Sequence, residues 1–302
     1  MANSQKVKVS VVILSWNTKD LLEQCLKSIP FSMEIIVVDN GSIDNTLQFL
    51  DSLKWPNLKV IKNKSNLGFA KGNNQGLEVA KGDFAIILNS DTIVQKGALE
   101  KLADYLIKFP QVGAVSPLLV NKDGSFQEEY YMRFPNLWQI FGYHCPLSRP
   151  LFMKTPLRWL VVSRLKDKPF EVEQLPGAAM MARHGVWNKV GLLDEDYQFL
   201  YEDVDWCYRA KKMGLKLVIV PEAKITHLGG ASWKQKLNFQ SFEFYRQFFS
   251  SLLFFVKNNY GEKKLKKFRM ALIINFFFQF KFKLAKVFLN QGNQIKQEKL
   301  WP

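Results

Sequence analysis

Apolar and polar positions along the first 120 residues alternate between two periods. Val9–Leu14 is an unbroken apolar run rich in β-branched side chains, the pattern of a strand buried on both faces. Residues 18–29 switch to helical spacing, with Leu21, Leu22, Cys25, Leu26 and Ile29 on one side. The same alternation predicts strands at 34–38, 59–62, 84–88 and 112–116, and helices at 45–53, 72–80 and 97–109, with Asp44 as an N-cap. Strands separated by helices at this spacing imply βαβ units and a mostly parallel sheet flanked by helices, an α/β fold. In such sheets ligands gather at the carboxyl ends of the strands.

Beyond Pro117 the rhythm changes. Asn121–Ser125 (NKDGS) is a turn signal, and the Pro- and aromatic-rich stretch 134–169 reads as a long insertion with short helices. A strand is expected at 172–175, then PGAAMMARH, a helix over 202–213 closed by Gly214, and a strand over 216–220. The chain is expected to divide into an α/β domain at 1–232 and a helical tail at 233–302.

Composition sets limits on this picture. With 47% hydrophobic and 23% charged residues over 302 positions, the chain can bury a large core. Cys25, Cys145 and Cys207 are odd in number and far apart, which argues against a disulfide framework or zinc site and fits a reducing compartment. The opening apolar run of about six residues is too short for a signal peptide, and no stretch reaches the roughly 18–20 apolar residues of a spanning helix. A cytoplasmic protein, peripheral on the cytosolic face of a membrane, is expected. The net charge of +15 is uneven: residues 233–302 carry 14 basic and 3 acidic side chains.

Several polar clusters fall where the parallel-sheet rule puts a ligand. Asp39 ends the second strand in VVDNGSIDNT and either caps a turn or accepts the N3–H of uracil or thymine. NLGFAKGNNQG (66–76) matches neither a Walker loop nor a Rossmann fingerprint. Asn89-Ser90-Asp91 follows another strand, and an aspartate there suits a hard cation bridging a pyrophosphate. Six carboxylates crowd 194–205 in an otherwise basic chain; Glu202, Asp203 and Asp205 complement a helix dipole or activate an acceptor hydroxyl. His227, in ITHLGG, is a buried core histidine or a metal ligand.

The order of these motifs is more specific than any one of them. VVILSWN, VVDNGSIDNT, NLGFAKGNNQG, LNSDT, PGAAMMARH, LDEDYQFLYEDVDWCYR and THLGG resemble the family 2 glycosyltransferases, especially their rhamnosyltransferase-like branch, over residues 9–230. The resemblance implies a GT-A fold and an inverting, metal-dependent transfer of a hexosyl group. The donor would be a UDP- or dTDP-linked sugar such as dTDP-rhamnose, and the acceptor a lipid-linked or polysaccharide hydroxyl. It implies Asp39 on the pyrimidine, and Ser15, Asn17, Asn66, Gly68, Asn73 and Asn89 around the nucleotide sugar. Asp91 and His227 would hold Mg2+ or Mn2+, Asp203 would be the base with Glu202 beside it, and Gly177 and Asp205 would shape the acceptor pocket. Asn89 departs from the paired-aspartate metal motif of the wider superfamily, offering an amide oxygen without charge.

The tail adds a second theme. In KKLKKFRMALIINFFFQFKFKLAKVFL (263–289), Asn275, Gln279, Lys283, Lys286 and Asn290 form a polar stripe on a continuous helix, with Phe and Ile over the remaining face. Basic, Phe-rich amphipathic helices bind anionic membrane surfaces. The alternative is a helix packed on the catalytic domain or on a second subunit of a homo-oligomer. So broad an apolar face has no role on a phosphate backbone, which disfavours nucleic acid as partner. Two other functions compete with the transferase: a silent membrane-attached binding protein, and a sugar nucleotidyltransferase. The second needs a Gly- and Arg/Lys-rich loop after the first strand, which VVILSWNTKD lacks.

Overall fold

The computed structural model of the chain describes residues 8–229 and 241–290. Val9–Ser15 (β1), Glu34–Asp39 (β2), Leu58–Lys62 (β3) and Phe84–Asn89 (β4) lie parallel in the order β3-β2-β1-β4. Val12 sits opposite Ile36 on one side and Ile87 on the other, so the central strands interlock apolar rows. Lys19–Ser28 (α1), Thr46–Ser52 (α2) and Phe69–Val79 (α3) connect them. Helix α3 approaches β1 through glycines: a Cβ at Gly72 would lie 2.3 Å from Leu14 Cδ1, and one at Gly76 would lie 2.2 Å from Val12 Cγ1.

Beyond β4 the sheet is mixed rather than parallel. Thr92–Val94 (β5), Ala98–Lys108 (α4) and Val112–Val120 (β6) follow, then Phe170–Val172 (β7), Ala179–Arg183 (β8) and Lys216–His227 (β9). Strand β8, within PGAAMMARH, inserts antiparallel between β4 and β6, and its Met180, Met181 and Ala182 are fully buried. Strand β9 runs well past the expected end at residue 220, continuing through Pro221 with a register shift against β6. Its far end pairs antiparallel with β5, placing Thr92 opposite His227.

The insertion at 134–169 contains the expected short helical turns, including Arg149–Met153 (α5). A small core of Phe152, Val161 and Val162 anchors it. His184–Val190 (α6) and Glu202–Lys212 (α7) complete the sheet's helical cover, and Gly214 takes φ +76° after α7 as a C′ glycine does.

The last described residues form three helices, Phe242–Tyr260 (α8), Glu262–Phe278 (α9) and Phe282–Asn290 (α10). They form a second core with Ile140, Tyr197 and Tyr201. The boundary expected at 232/233 falls outside the described residues, but the α8–α10 helices are not a loose appendage. Ser251 donates to Phe199 O at 2.6 Å, and Asn259 Nδ2 donates to Asp205 Oδ1 at 2.9 Å. The continuous helix expected over 263–289 is broken, with Phe280 at φ +55° between α9 and α10. Only the first part of its polar stripe turns inward: Asn275 is buried, and Asn275 and Gln279 both donate to the carbonyl of His144, whereas Lys283, Lys286 and Asn290 on α10 are exposed. All three cysteines are buried and free.

Candidate active site

The carboxyl ends of β1, β2 and β4 lie side by side. Asp39 closes β2, opposite Ser15 at the end of β1, and is fully buried. Its Oδ2 accepts the Ser42 N–H at 3.0 Å, whereas Oδ1 has no hydrogen-bond partner among the described residues. A buried carboxylate oxygen without a donor is costly, which suits an oxygen reserved for a ligand N–H. Asn17, at φ +52°, joins the loops after β1 and β2: its N–H donates to Ser42 Oγ and its Oδ1 accepts the Ile43 N–H at 2.8 Å. Ser15 is buried and hydrogen-bonded to Thr18, which reaches Ser90 at 3.0 Å. Ser15 therefore ties β1 to the Asn89–Asp91 turn rather than offering its hydroxyl to an open pocket.

The 66–76 segment is organised by a residue the sequence reading did not single out. Asn40 donates to Asn66 Oδ1 at 2.8 Å and to Gly68 O, while its own Oδ1 accepts from Asn63 and Leu67. Gly68, at φ +89°, opens α3 with no atom crowding its Cβ position, so its backbone is approachable. Asn73 is buried and donates to Phe69 O one turn back. Its neighbour Asn74 clamps α3 to the acidic segment through Leu193 and Glu195.

The β5–β9 pairing brings Asp91 and His227 together. Leu228 N–H donates to Asp91 O, and His227 Nε2 lies 3.4 Å from Asp91 Oδ1 and 3.4 Å from Asn89 Nδ2, all in buried surroundings. Gln127, also absent from the sequence reading, fixes the imidazole. Its Nε2 donates to His227 O at 2.7 Å and to Asn121 Oδ1 at 2.8 Å. That turns its Oε1 to His227 Nδ1 at 3.0 Å, so Nδ1 carries the proton and Nε2 presents a lone pair. A carboxylate and an imidazole nitrogen 3.4 Å apart in a buried site suit a positive charge between them, either a proton or a metal cation. One carboxylate and one imidazole fit Mg2+ or Mn2+ completed by phosphate oxygens. Among the described residues no three His, Cys, Asp or Glu side chains gather into an all-protein cage.

Asp203 stands at the start of α7. Leu200 and Tyr201, just before it, hold φ of +61° and +76°, a left-handed twist costing about 1–3 kcal/mol per residue. Tyr201 is held there by its ring against Phe248 and Phe255. The twist delivers Asp203 to the Gly177 N–H, which donates to Oδ2 at 2.8 Å, while Oδ1 accepts the Val204 N–H at 2.8 Å. A Cβ at Gly177 would lie 3.0 Å from Asp203 Oδ2, so this close approach depends on glycine.

Burial raises the pKa of both Glu202 and Asp203, and the Asp203 charge raises Glu202 further, to about 8. The two backbone N–H bonds and the helix N-terminus favour Asp203 as the ionised member of the pair. The phenol of Tyr130 lies beside the Asp91–His227 pair. Its ring meets His227 edge-on at 5.0 Å, and its pKa is raised by burial first, then by Asp91 and, more weakly, by Asp203.

Asp205 is placed differently from the acceptor-pocket expectation. Its oxygens are taken by Arg209 Nε at 2.8 Å, Asn259 and Tyr197, and Arg209 in turn bonds the carbonyls of Val190 and Leu192. It is a clamp between α7, α8 and the turn after α6.

Comparison with known proteins bears on the family and the fold. The Glycosyl transferase family 2 profile matches residues 10–163. An N-acetylglucosaminyl-diphospho-decaprenol L-rhamnosyltransferase of Mycobacterium tuberculosis is 28% identical over 235 residues, covering 72% of this chain and 75% of that protein. GalNAc-T7, solved with UDP, GalNAc and Mn2+, superposes with a TM-score of 0.58 at 19% identity over 89% of this chain, which spans only 55% of that one. The mannosyltransferase PcManGT of Pyrobaculum calidifontis, solved with GDP-Man and Mn2+, gives 0.57 at 16% identity, over 95% of this chain and 75% of that one. At such identities the structures speak to the fold, which is GT-A. By the profile and the rhamnosyltransferase relative, the chain belongs to glycosyl transferase family 2.

Proposed function

We propose that this glycosyltransferase moves a sugar from a UDP- or dTDP-linked donor to a hydroxyl of a lipid-linked or glycan acceptor, with inversion at the anomeric carbon. The observation that carries the reading is the pair of polar centres: the buried Asp91 and His227 3.4 Å apart, and Asp203 held at the start of α7 by the Gly177 N–H. The open Oδ1 of Asp39 accepts the imide N3–H of uracil or thymine. The Asn40–Asn66–Gly68 network presents backbone toward the donor. Asp91 and His227, with the Asn89 amide near them, hold a divalent cation. When bound, that cation neutralises charge on the departing nucleoside diphosphate. Asp203 takes the proton of the acceptor hydroxyl as it attacks from the face opposite the leaving group. Gly177 holds Asp203 in place for that step.

The M. tuberculosis relative, by its name, transfers L-rhamnose to a diphosphate-linked lipid, which supports a deoxyhexose donor and a lipid diphosphate acceptor here. The test is incubation of the purified chain with a panel of UDP- and dTDP-sugars plus Mn2+, following release of nucleoside diphosphate. One donor should be consumed slowly without acceptor, and both EDTA and Asp91→Ala should stop it. Full turnover in excess EDTA, or in Asp91→Ala, would overturn the metal assignment. Tight nucleotide binding with no turnover of any donor would favour the silent binding protein.

A further inference from the structure

Helix α9 is apolar on two faces, only one of which is covered by the described residues. Leu265, Phe268, Leu272 and Phe276 point into the second core. On the other side Met270, Ile274, Phe277 and Phe278 recur at steps of four, three and one, which makes a single exposed strip. Lys263, Lys266 and Lys267 extend the same strip toward the helix start, and all three are exposed. The turn after α9 adds Phe280, 81% exposed, and Phe282 opens α10 beside it. A side-chain link from Gln279 to His144 joins this turn to the insertion, where Leu147 and Leu151 are each 73% exposed.

So much exposed aromatic surface calls for a partner. Charge decides which. Residues 241–290 carry ten basic and two acidic side chains, of which Glu243 is already paired with Arg246. A second copy of the same face would meet like charge, whereas an anionic bilayer offers phosphates for the lysines and an acyl boundary for the phenylalanines. None of the described helices is long and apolar enough to cross a membrane.

We infer that the exposed strip of α9 and the turn that follows it form a docking face for an anionic lipid bilayer. The helix lies along the surface: at 1.5 Å per residue the strip from Lys263 to Phe278 covers roughly 22 Å. Lysines sit at the headgroup phosphates, and the phenylalanine end enters the acyl boundary. This differs from an amphipathic helix floating free of the enzyme. Its inner face is fixed to the core, so docking fixes the orientation of the whole molecule on the leaflet. The inference rests on helix α9 and its turn alone and stands apart from the transferase reading.

The test is co-sedimentation of the full chain with phosphatidylcholine vesicles, with and without phosphatidylglycerol. Two double variants accompany it, Phe277→Ser with Phe280→Ser and Lys266→Glu with Lys267→Glu. Wild type should pellet with the anionic vesicles and less so at high salt. Each basic residue near such a surface is worth roughly fivefold in partitioning, so the lysine variant should lose at least tenfold, and the phenylalanine variant a similar amount. Because all four side chains are exposed, melting temperatures should match wild type, which separates lost docking from lost folding. Binding by both variants equal to wild type would overturn the inference, as would wild type remaining in the supernatant. So would a phenylalanine-dependent dimer in vesicle-free solution, which would make the face a subunit interface.

Discussion

At the residue scale, the chemistry depends on which of two adjacent carboxyl groups holds a proton. Glu202 and Asp203 share a buried helix start, and the backbone bonds from Gly177 and Val204 leave Asp203 as the charged one. Asp203→Asn keeps the shape but loses the base and one of two N–H acceptors, so kcat should fall about 10²–10⁴-fold while nucleotide affinity holds and stability drops by about 1 kcal/mol, the worth of one hydrogen bond. A rate profile against pH tests the same point. Because burial raises the Asp203 pKa, the acid limb of kcat/KM should break above the ordinary aspartate range and vanish in the Asn variant.

Glu202 makes the reverse prediction for stability. Its folded pKa of about 8 lies above its unfolded one, so the folded state holds a proton that the unfolded chain releases above about 4.5. Stability from Glu202 is therefore complete in acid and is lost as pH rises toward 8. Thermal unfolding across pH 5–8.5 should show a decline that Glu202→Gln flattens. Gln127 is the third case. It acts through His227, so Gln127→Leu should weaken Mn2+ affinity by about 10–100-fold, read by calorimetry with UDP present, and Gln127→Glu should restore part of it.

At the scale of elements, helix α3 is positioned by what it lacks. Gly72 and Gly76 let it lie against β1, and Val12, at the centre of the sheet, has no room to yield. Gly76→Ala should cost about 1–3 kcal/mol by overpacking despite its better helix propensity, and chemical denaturation would measure it. The same shift would move Gly68 and Asn66, so donor affinity should weaken in parallel. Strand β9 works similarly over a longer reach. Its run past Pro221 to His227 carries the imidazole from the sheet's interior to the edge strand β5, where Asp91 waits.

At the scale of the molecule, the α8–α10 helices and the catalytic half share a core. A chain ending near Lys257 would uncover the partners of Leu265, Phe268, Leu272 and Phe276, each worth about 1.5–3 kcal/mol when buried. It should melt well below the full chain and bind a hydrophobic dye, rather than behave as a clean catalytic domain. That is why surface variants, not truncation, test the membrane face.

Much of the parallel half was legible in the sequence, because β1, β2 and β4 are apolar runs bracketed by helical periods. The strand-end carboxylates Asp39 and Asp91 were legible for the same reason: a parallel strand buried on both faces has polar residues only where it ends. Strands β5 and β8 and the second half of β9 were not, since a three-residue strand, a Met/Ala run and a strand through proline carry no period of their own. The polar stripe from Asn275 to Asn290 was legible as a pattern, but the break at Phe280 splits it: Asn275 turns inward while Lys283, Lys286 and Asn290 stay exposed, because a helix apolar on two sides does not say which side the protein covers. Gln127 and Asn40 escaped altogether. Their roles rest on hydrogen bonds across 100 and 26 positions of chain, to His227 and Asn66, and such pairings exist only once the sheet has brought their loops together. Local pattern thus determined the strands, the helices and the chemical types at their ends. Tertiary structure decided which proton, which lone pair and which helix face those groups present, because each is set by a neighbour remote in the chain.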